Sequence, residues 1–159
     1  MTVDSRDFRV ALGYFATGVT VVTTKLNDEI RGLTVNSFCS VSLDPPLVLV
    51  CIDRSAKSYQ MMTESGIFAV NILSCDMEDI SKIFAEHDTQ STRCGGTVLK
   101  KELTGAPILE GTIAFLDCRV VARHQAGDHD IFIGRVEKLG VGTDGDPLIY
   151  HRSKYKKLR

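Results

Sequence analysis

Absent features narrow the function of this sequence first. It contains neither G-x-x-x-x-G-K-[ST] nor G-x-G-x-x-G, so any nucleotide must be held by something other than a P-loop or a Rossmann turn. The five cysteines, Cys39, Cys51, Cys75, Cys94 and Cys118, form no C-x-x-C pair, and four sit among apolar neighbours. A free thiol there acts as a small hydrophobe, so neither a disulfide framework nor a zinc site is expected. None of His87, His124, His129 and His151 shows metal-ligand spacing. There is no nucleophile elbow and no cysteine in evidently activating surroundings, which disfavours acyl transfer and thiol catalysis. No apolar run approaches membrane-spanning length, and the opening MTVDSRDFRVALGYF lacks the regions of a signal peptide. The reducing cytoplasm is the expected compartment. A formal net charge of −1 argues against nucleic acid or an anionic membrane as partner.

What is present fits one domain over 1–159, with 43% hydrophobic and 25% charged residues. Phe8, Ala11, Leu12 and Phe15 recur at helical spacing, predicting a short amphipathic helix over Ser5–Phe15. Val19–Lys25 is a β-branched run suited to a strand, and Asn27-Asp28 suits a hairpin turn. Leu33–Leu43 alternates as one strand that Asp44-Pro45-Pro46 stops, and the apolar Leu47–Ile52 predicts a strand covered on both sides. Ser55 is the expected cap of a helix running through Thr63 and ended by Gly66. A strand over Ile67–Leu73 follows, then a helix over Asp76–Glu86 with Met77, Ile80, Ile83 and Phe84 as its buried stripe. His87–Gly96 is polar and predicts a mobile loop or lid. Thr112–Arg123 and Ile131–Leu139 alternate as long strands about the turn Gln125-Ala126-Gly127-Asp128, and Pro147–His151 suits a last strand. The chain is therefore mainly β with helices, an α+β arrangement, and the pattern suggests a closed antiparallel barrel with helices over its ends.

Two segments could carry chemistry. The face Thr34-x-Asn36-x-x-x-Ser40 is either a solvated strand face or a binding surface. It holds short hydrogen-bonding groups without charge, which suits the edge of a planar heteroaromatic ligand. Asp53-Arg54-Ser55-Ala56-Lys57-Ser58 places two cations and two hydroxyls at a strand-to-helix junction. It is either an ordinary helix start with surface charges or a phosphate site. Ala126-Gly127-Asp128-His129-Asp130 reads on its own as a polar hairpin turn. The basic tail, with Arg152, Lys154, Lys156, Lys157 and Arg159, is either solvated or folds back near an anionic ligand.

Phe15–Thr24, Gly32–Cys51, Ala69-Val70-Asn71-Ile72-Leu73, Ala126-Gly127-Asp128-His129 and Ile133-Gly134 together closely resemble the short-chain flavin reductases, the reductase components of two-component flavin monooxygenases. The resemblance runs from about Phe8 to Tyr155. It implies an FMN-binding split β-barrel, a homodimer, FMN or FAD as cofactor, NADH or NADPH as co-substrate, and diffusible transfer of reduced flavin to an oxygenase component. Carried over to this chain, it sets Thr34, Val35, Asn36 and Ser37 against the isoalloxazine edge with Ser40 nearby. Cys51, Ile52 and Asp53 then line the ring or ribityl chain. Ser55, Lys57 and Ser58, with Arg54, hold the phosphate, and Phe84 lies against the far part of the flavin or its adenine. His129 faces the nicotinamide nucleotide, and Lys154 and Tyr155 of the tail enclose that side, with Ser153 where the family has glycine. Hydride transfer between two cofactors requires no catalytic acid or base from the protein. The rival functions are a flavin-binding electron carrier without a nicotinamide subsite and a flavin-dependent oxidase of the pyridoxamine-phosphate type. The latter needs a second phosphate-binding cluster.

Overall fold

The computed structural model of this chain describes residues 3–86, 99–142 and 144–158. The expected lid over His87–Gly96, together with Cys94 and Arg159, lies outside them. A seven-stranded antiparallel sheet carries the fold. Its strands are β2 (Thr20–Leu26), β3 (Glu29–Val35), β4 (Phe38–Leu43), β5 (Pro46–Asp53), β6 (Ile67–Ile72), β9 (Ala114–Ala126) and β10 (His129–Val141). They follow the order β3-β2-β6-β9-β10-β5-β4. β3 and β4 are thus the two edges and do not pair with each other, so the barrel is split rather than closed. The alternation over Leu33–Leu43 hid this. It is two strands, broken at Asn36-Ser37, and the break carries the chain from one edge of the sheet to the other.

The sheet wraps a core of Val22, Val50, Ile52, Met62, Phe68, Val70, Cys118 and Phe132. β5 alternates instead of being covered on both sides: Val48, Val50 and Ile52 are buried, while Leu47, Leu49 and Cys51 are half-buried. Asn71, fully buried on β6, donates to the Val21 carbonyl and the Thr23 hydroxyl, each at 3.0 Å, and accepts from the Leu109 amide at 2.8 Å. A buried amide so satisfied welds β6 to β2 and to the short strand β8 (Pro107–Leu109), the partner of β7 (Leu99–Lys101).

α1 (Ser5–Gly13) is capped by Asp4 but buries no residue: Phe8 and Leu12 remain 55% exposed and Phe15 77%. α2 (Lys57–Ser65) ends at Gly66 in the left-handed conformation (φ 67°), as glycine allows. α3 (Glu78–Ala85) buries Phe84 and Ser81, with Met77 just before it, while Ile80 and Ile83 are half-buried. The chain ends in a hairpin of β11 (Ile149–His151) and β12 (Lys154–Lys156), where one last strand was expected. β11 pairs with β1 (Thr17–Gly18), and together they pack Val19, Leu148, Tyr150 and Tyr155 beside α3.

Candidate functional site

A cavity of about 720 Å³ opens where the edge strand β3, the β5–α2 junction, α3 and the C-terminal hairpin meet. That volume is in the range of small-molecule and cofactor sites. β3 and the break after it supply Leu33, Thr34 and Asn36. The β5–α2 junction supplies Asp53, Ser55, Ala56, Lys57 and Ser58. From α3 come Ser81, Phe84 and Ala85, and from the hairpin Tyr150 and Tyr155, with Val19 beneath. The two stretches singled out in the sequence, Thr34–Ser40 and Asp53–Ser58, therefore meet at one cavity through Thr34 and Asn36 on one side and Asp53 and Ser55–Ser58 on the other.

At the β5–α2 junction, Ser55 does not cap the helix. Its amide and hydroxyl both turn back to the Asp53 carboxylate, at 2.7 and 2.8 Å. These bonds hold the Asp53 carboxyl below the usual carboxylate range, the Ser55 amide contributing most, with His129 and Arg54 adding to it. The cap position passes to Ala56, whose side chain cannot accept, so among the described residues no side chain caps the start of α2. That end of a helix presents amide donors and the positive pole of its dipole. Ser58, in the same turn, is fully buried, lines the cavity, and its hydroxyl has no hydrogen-bond partner among the described residues. Lys57 adds a cation to the wall. A donor-rich, positively polarised corner with an orphaned hydroxyl fits a phosphate group.

Thr34 donates to the Ser81 carbonyl at 2.6 Å, tying β3 to α3. Phe84 reaches the cavity because Gly32 leaves room: a Cβ at 32 would sit 2.7 Å from Phe84 Cε1. His129 is half-buried, with Nδ1 2.7 Å from Asp128 Oδ1, and it stands directly across the β5–β10 ladder from Asp53. That hydrogen bond lowers the Asp128 carboxyl below its ordinary value.

Several expected contacts lie elsewhere. The Val35 and Ile52 side chains are in the core and Cys51 is half-buried, none lining the cavity. Burial pushes the Cys51 thiol up despite a hydrogen bond with Ser37. Ser37 donates to the Cys51 carbonyl at 3.0 Å, closing the β3–β4 break onto β5. Ser40 is exposed on β4. Arg54 does not line the cavity but turns to the β9–β10 hairpin, donating through its guanidinium to the Gly127 carbonyl. Lys154 lines a separate basic recess of about 340 Å³ with His151, Arg152 and Lys156. Alternation along the hairpin puts that recess on the face opposite Tyr150 and Tyr155. The sequence reading missed Ser81, Tyr150, Leu33, Val19, Ala56 and Ala85. Ser81 interrupts the apolar stripe of α3, which was a usable signal; the others look like ordinary core or surface.

A split antiparallel barrel with Thr34 and Asn36 facing an uncapped helix start across one cavity has the features of a nucleotide-cofactor site. The flavin reductase like domain model matches residues 12–159, and the chain belongs to that family. It is 44% identical to an NADH-dependent flavin reductase of a Rhodococcus species over 155 residues, covering 94% of this chain and 84% of the relative. It is 37% identical to the reductase subunit HsaB of a flavin-dependent monooxygenase of Mycobacterium tuberculosis, covering 96% and 82%. Among solved structures, the flavin reductase PheA2 superposes with a TM-score of 0.89 at 43% identity and 99% coverage of both chains.

Proposed function

We propose that residues 1–159 act as one domain, an NAD(P)H:flavin oxidoreductase that reduces FMN or FAD and releases reduced flavin to a partner monooxygenase. The observation that carries this reading is the buried, partnerless Ser58 hydroxyl at the uncapped start of α2, opposite Thr34 and Asn36 across one cavity. The chemistry supplied by the bound pair is hydride transfer from the nicotinamide to the flavin ring. The chain's own part is placement. Ser58, Lys57 and the first amides of α2 hold the phosphate, Asp53 keeps Ser55 out of its way, and Thr34 and Asn36 address the ring edge. Phe84, Tyr150 and Tyr155 wall the cavity and exclude water, which favours a productive encounter. His129 orients the nicotinamide nucleotide. The relative named for NADH favours NADH as the reductant.

The experiment has two arms. Mixing protein, FMN and NADH should oxidise NADH catalytically; binding without turnover would leave a flavin carrier. Ser58→Ala should weaken FMN while sparing riboflavin, which has no phosphate. Equal effects on both would remove the phosphate role.

The same reading includes a homodimer. Phe8 and Leu12 of α1 and Phe15 beyond it stand open to solvent, and Leu43 and Val141 are 94% and 82% exposed. A second subunit covering them accounts for that apolar surface. Sedimentation equilibrium checks it, and a monomer at micromolar concentration would refute it.

A further inference from the structure

The inward row of β10 begins Asp130, Phe132, Gly134, so a carboxylate occupies a position where the barrel calls for an apolar side chain. Asp130 is 3% exposed. Its Oδ2 accepts from the Tyr59 hydroxyl at 2.9 Å and lies 3.4 Å from Arg123 Nε. Its Oδ1 has no hydrogen bond among the described residues and faces Arg54 Nε at 3.5 Å. A buried ion pair is a poor source of net stability, because desolvation offsets the attraction. It is, however, directional, and the elements joined here are telling.

Arg54 and Tyr59 bracket the start of α2. Arg54 also ties to the hairpin, its amide donating to the Asp128 carbonyl at 3.1 Å and its guanidinium to the Gly127 carbonyl. Arg123 stacks 5.8 Å from the Tyr59 ring centre and donates to the Thr63 hydroxyl at 2.9 Å, gripping the outer face of α2. Each partner of Asp130 thus connects α2 or its first residues to the hairpin that carries His129. Asp130 itself adjoins His129 and does not line the cavity.

We infer that Asp130 is a positioning residue: it fixes the start of α2 against the His129 turn, and so sets phosphate affinity and nicotinamide KM together. This rests on the reading that the start of α2 takes the flavin phosphate. Asp130→Asn keeps the shape and an acceptor for Tyr59 but removes the charge that holds Arg54. Arg54 keeps its amide hydrogen bond to the Asp128 carbonyl but loses the anion that fixes its guanidinium, so Asp53–Ser58 is held less firmly against the His129 hairpin.

The test compares Asp130→Asn with the parent in FMN and riboflavin titrations and in steady-state kinetics. FMN should weaken by about tenfold, the scale of one charge-assisted contact, with riboflavin nearly unchanged. KM for NADH should rise with kcat at saturation retained. Arg54→Gln should weaken FMN and raise KM for NADH in the same way, and the double variant should fall short of the sum of the two single effects, since both remove the Asp130–Arg54 link. A structural role alone would lower the melting temperature and weaken both flavins alike, which overturns the inference, as would additive single effects. If Ser58→Ala shifts the FMN-to-riboflavin ratio and Asp130→Asn does not, only the positioning role falls. If neither shifts it, the phosphate reading and the inference fall together.

Discussion

The Ser81 hydroxyl and the Tyr155 phenol lie 2.8 Å apart, joining α3 to the last strand of the chain across the wall of the cavity. Thr34 bonds the Ser81 carbonyl from the other side, so three segments far apart in sequence are fixed through one turn of helix. Tyr150 meets the Tyr155 ring edge-on at 5.4 Å, and Lys82 Nζ lies 5.9 Å from the Tyr155 ring centre. The Tyr155 ring is held by its neighbours rather than left to swing.

Removing the phenol should therefore cost stability as well as shape. In Tyr155→Phe, the fully buried Ser81 hydroxyl loses its partner. An orphaned hydroxyl costs about 1–3 kcal/mol. Chemical denaturation should show that loss, and adding Ser81→Ala to Tyr155→Phe should recover part of it by removing the orphan. A fully additive pair would mean the two groups do not act as one contact.

Gly32→Ala addresses the opposite wall. The new methyl would meet Phe84 Cε1 at 2.7 Å and Thr23 Cγ2 at 3.2 Å. Phe84 must rotate or β3 must shift, and overpacking of this kind costs about 1–3 kcal/mol. Because Phe84 lines the cavity, flavin affinity should fall along with stability. A stable variant with parental flavin affinity would show that Phe84 swings aside freely and contributes nothing to the site.

Much of this was legible in the sequence, and what was not has physical causes. The β-branched runs, Gly66 and Asn27-Asp28 each mark a local choice that tertiary packing left intact. The single strand over Leu33–Leu43 failed because period-two alternation continues in phase across Asn36-Ser37, and alternation says nothing about which neighbour a strand pairs with. Ser55 fits an N-cap by type, but a nearer acceptor, the Asp53 carboxylate, takes both of its donors. The helical spacing of Phe8, Ala11 and Leu12 predicts α1, yet it buries none of its residues within the described chain. Thr34 and Ser58 met across a cavity as their residue types suggested. Arg54 and Lys154 did not, because charge alone gives no direction to a side chain.

His129→Ala separates the two halves of the site. The imidazole stands across from Asp53 and outside the cavity lining, so its removal should leave FMN affinity intact. KM for NADH should rise by about tenfold, one good hydrogen bond. Equal KM values in variant and parent would remove His129 from the nicotinamide side.

Ser153→Gly should stabilise the protein. The turn between β11 and β12 places Arg152 at φ 51° and Ser153 at φ 58°, a left-handed conformation that favours glycine. Relief of the Cβ clash is worth about 1 kcal/mol at one position, a rise of about 2–4 °C in a chain of this size. At Arg152 glycine would also give up the guanidinium stacked 4.8 Å from the Tyr14 ring centre, so it is the worse place to substitute. Thermal melts of the two variants test the ordering, and an Arg152→Gly gain larger than that of Ser153→Gly would reverse it.

Acid should reach the phosphate corner through Asp53. Its carboxyl is held below the ordinary aspartate value of about 3.9, first by the Ser55 amide and then by the Ser55 hydroxyl. A depressed value in the folded state means that the carboxylate's contribution is complete above the ordinary value. It is lost only as the pH falls through the depressed one. With Asp53 protonated, Ser55 loses its charged acceptor and becomes free to turn toward the uncapped end of α2, where it competes with the ligand. Asp53→Ala should bring that competition to neutral pH and weaken FMN there. Titrated downward, the parent should hold its advantage over the variant until below about pH 4 and then converge on it. The comparison cancels titration of the FMN phosphate itself, which both proteins meet equally. Curves that stay parallel until the protein unfolds would show that the Asp53 carboxylate has no part in keeping the corner open.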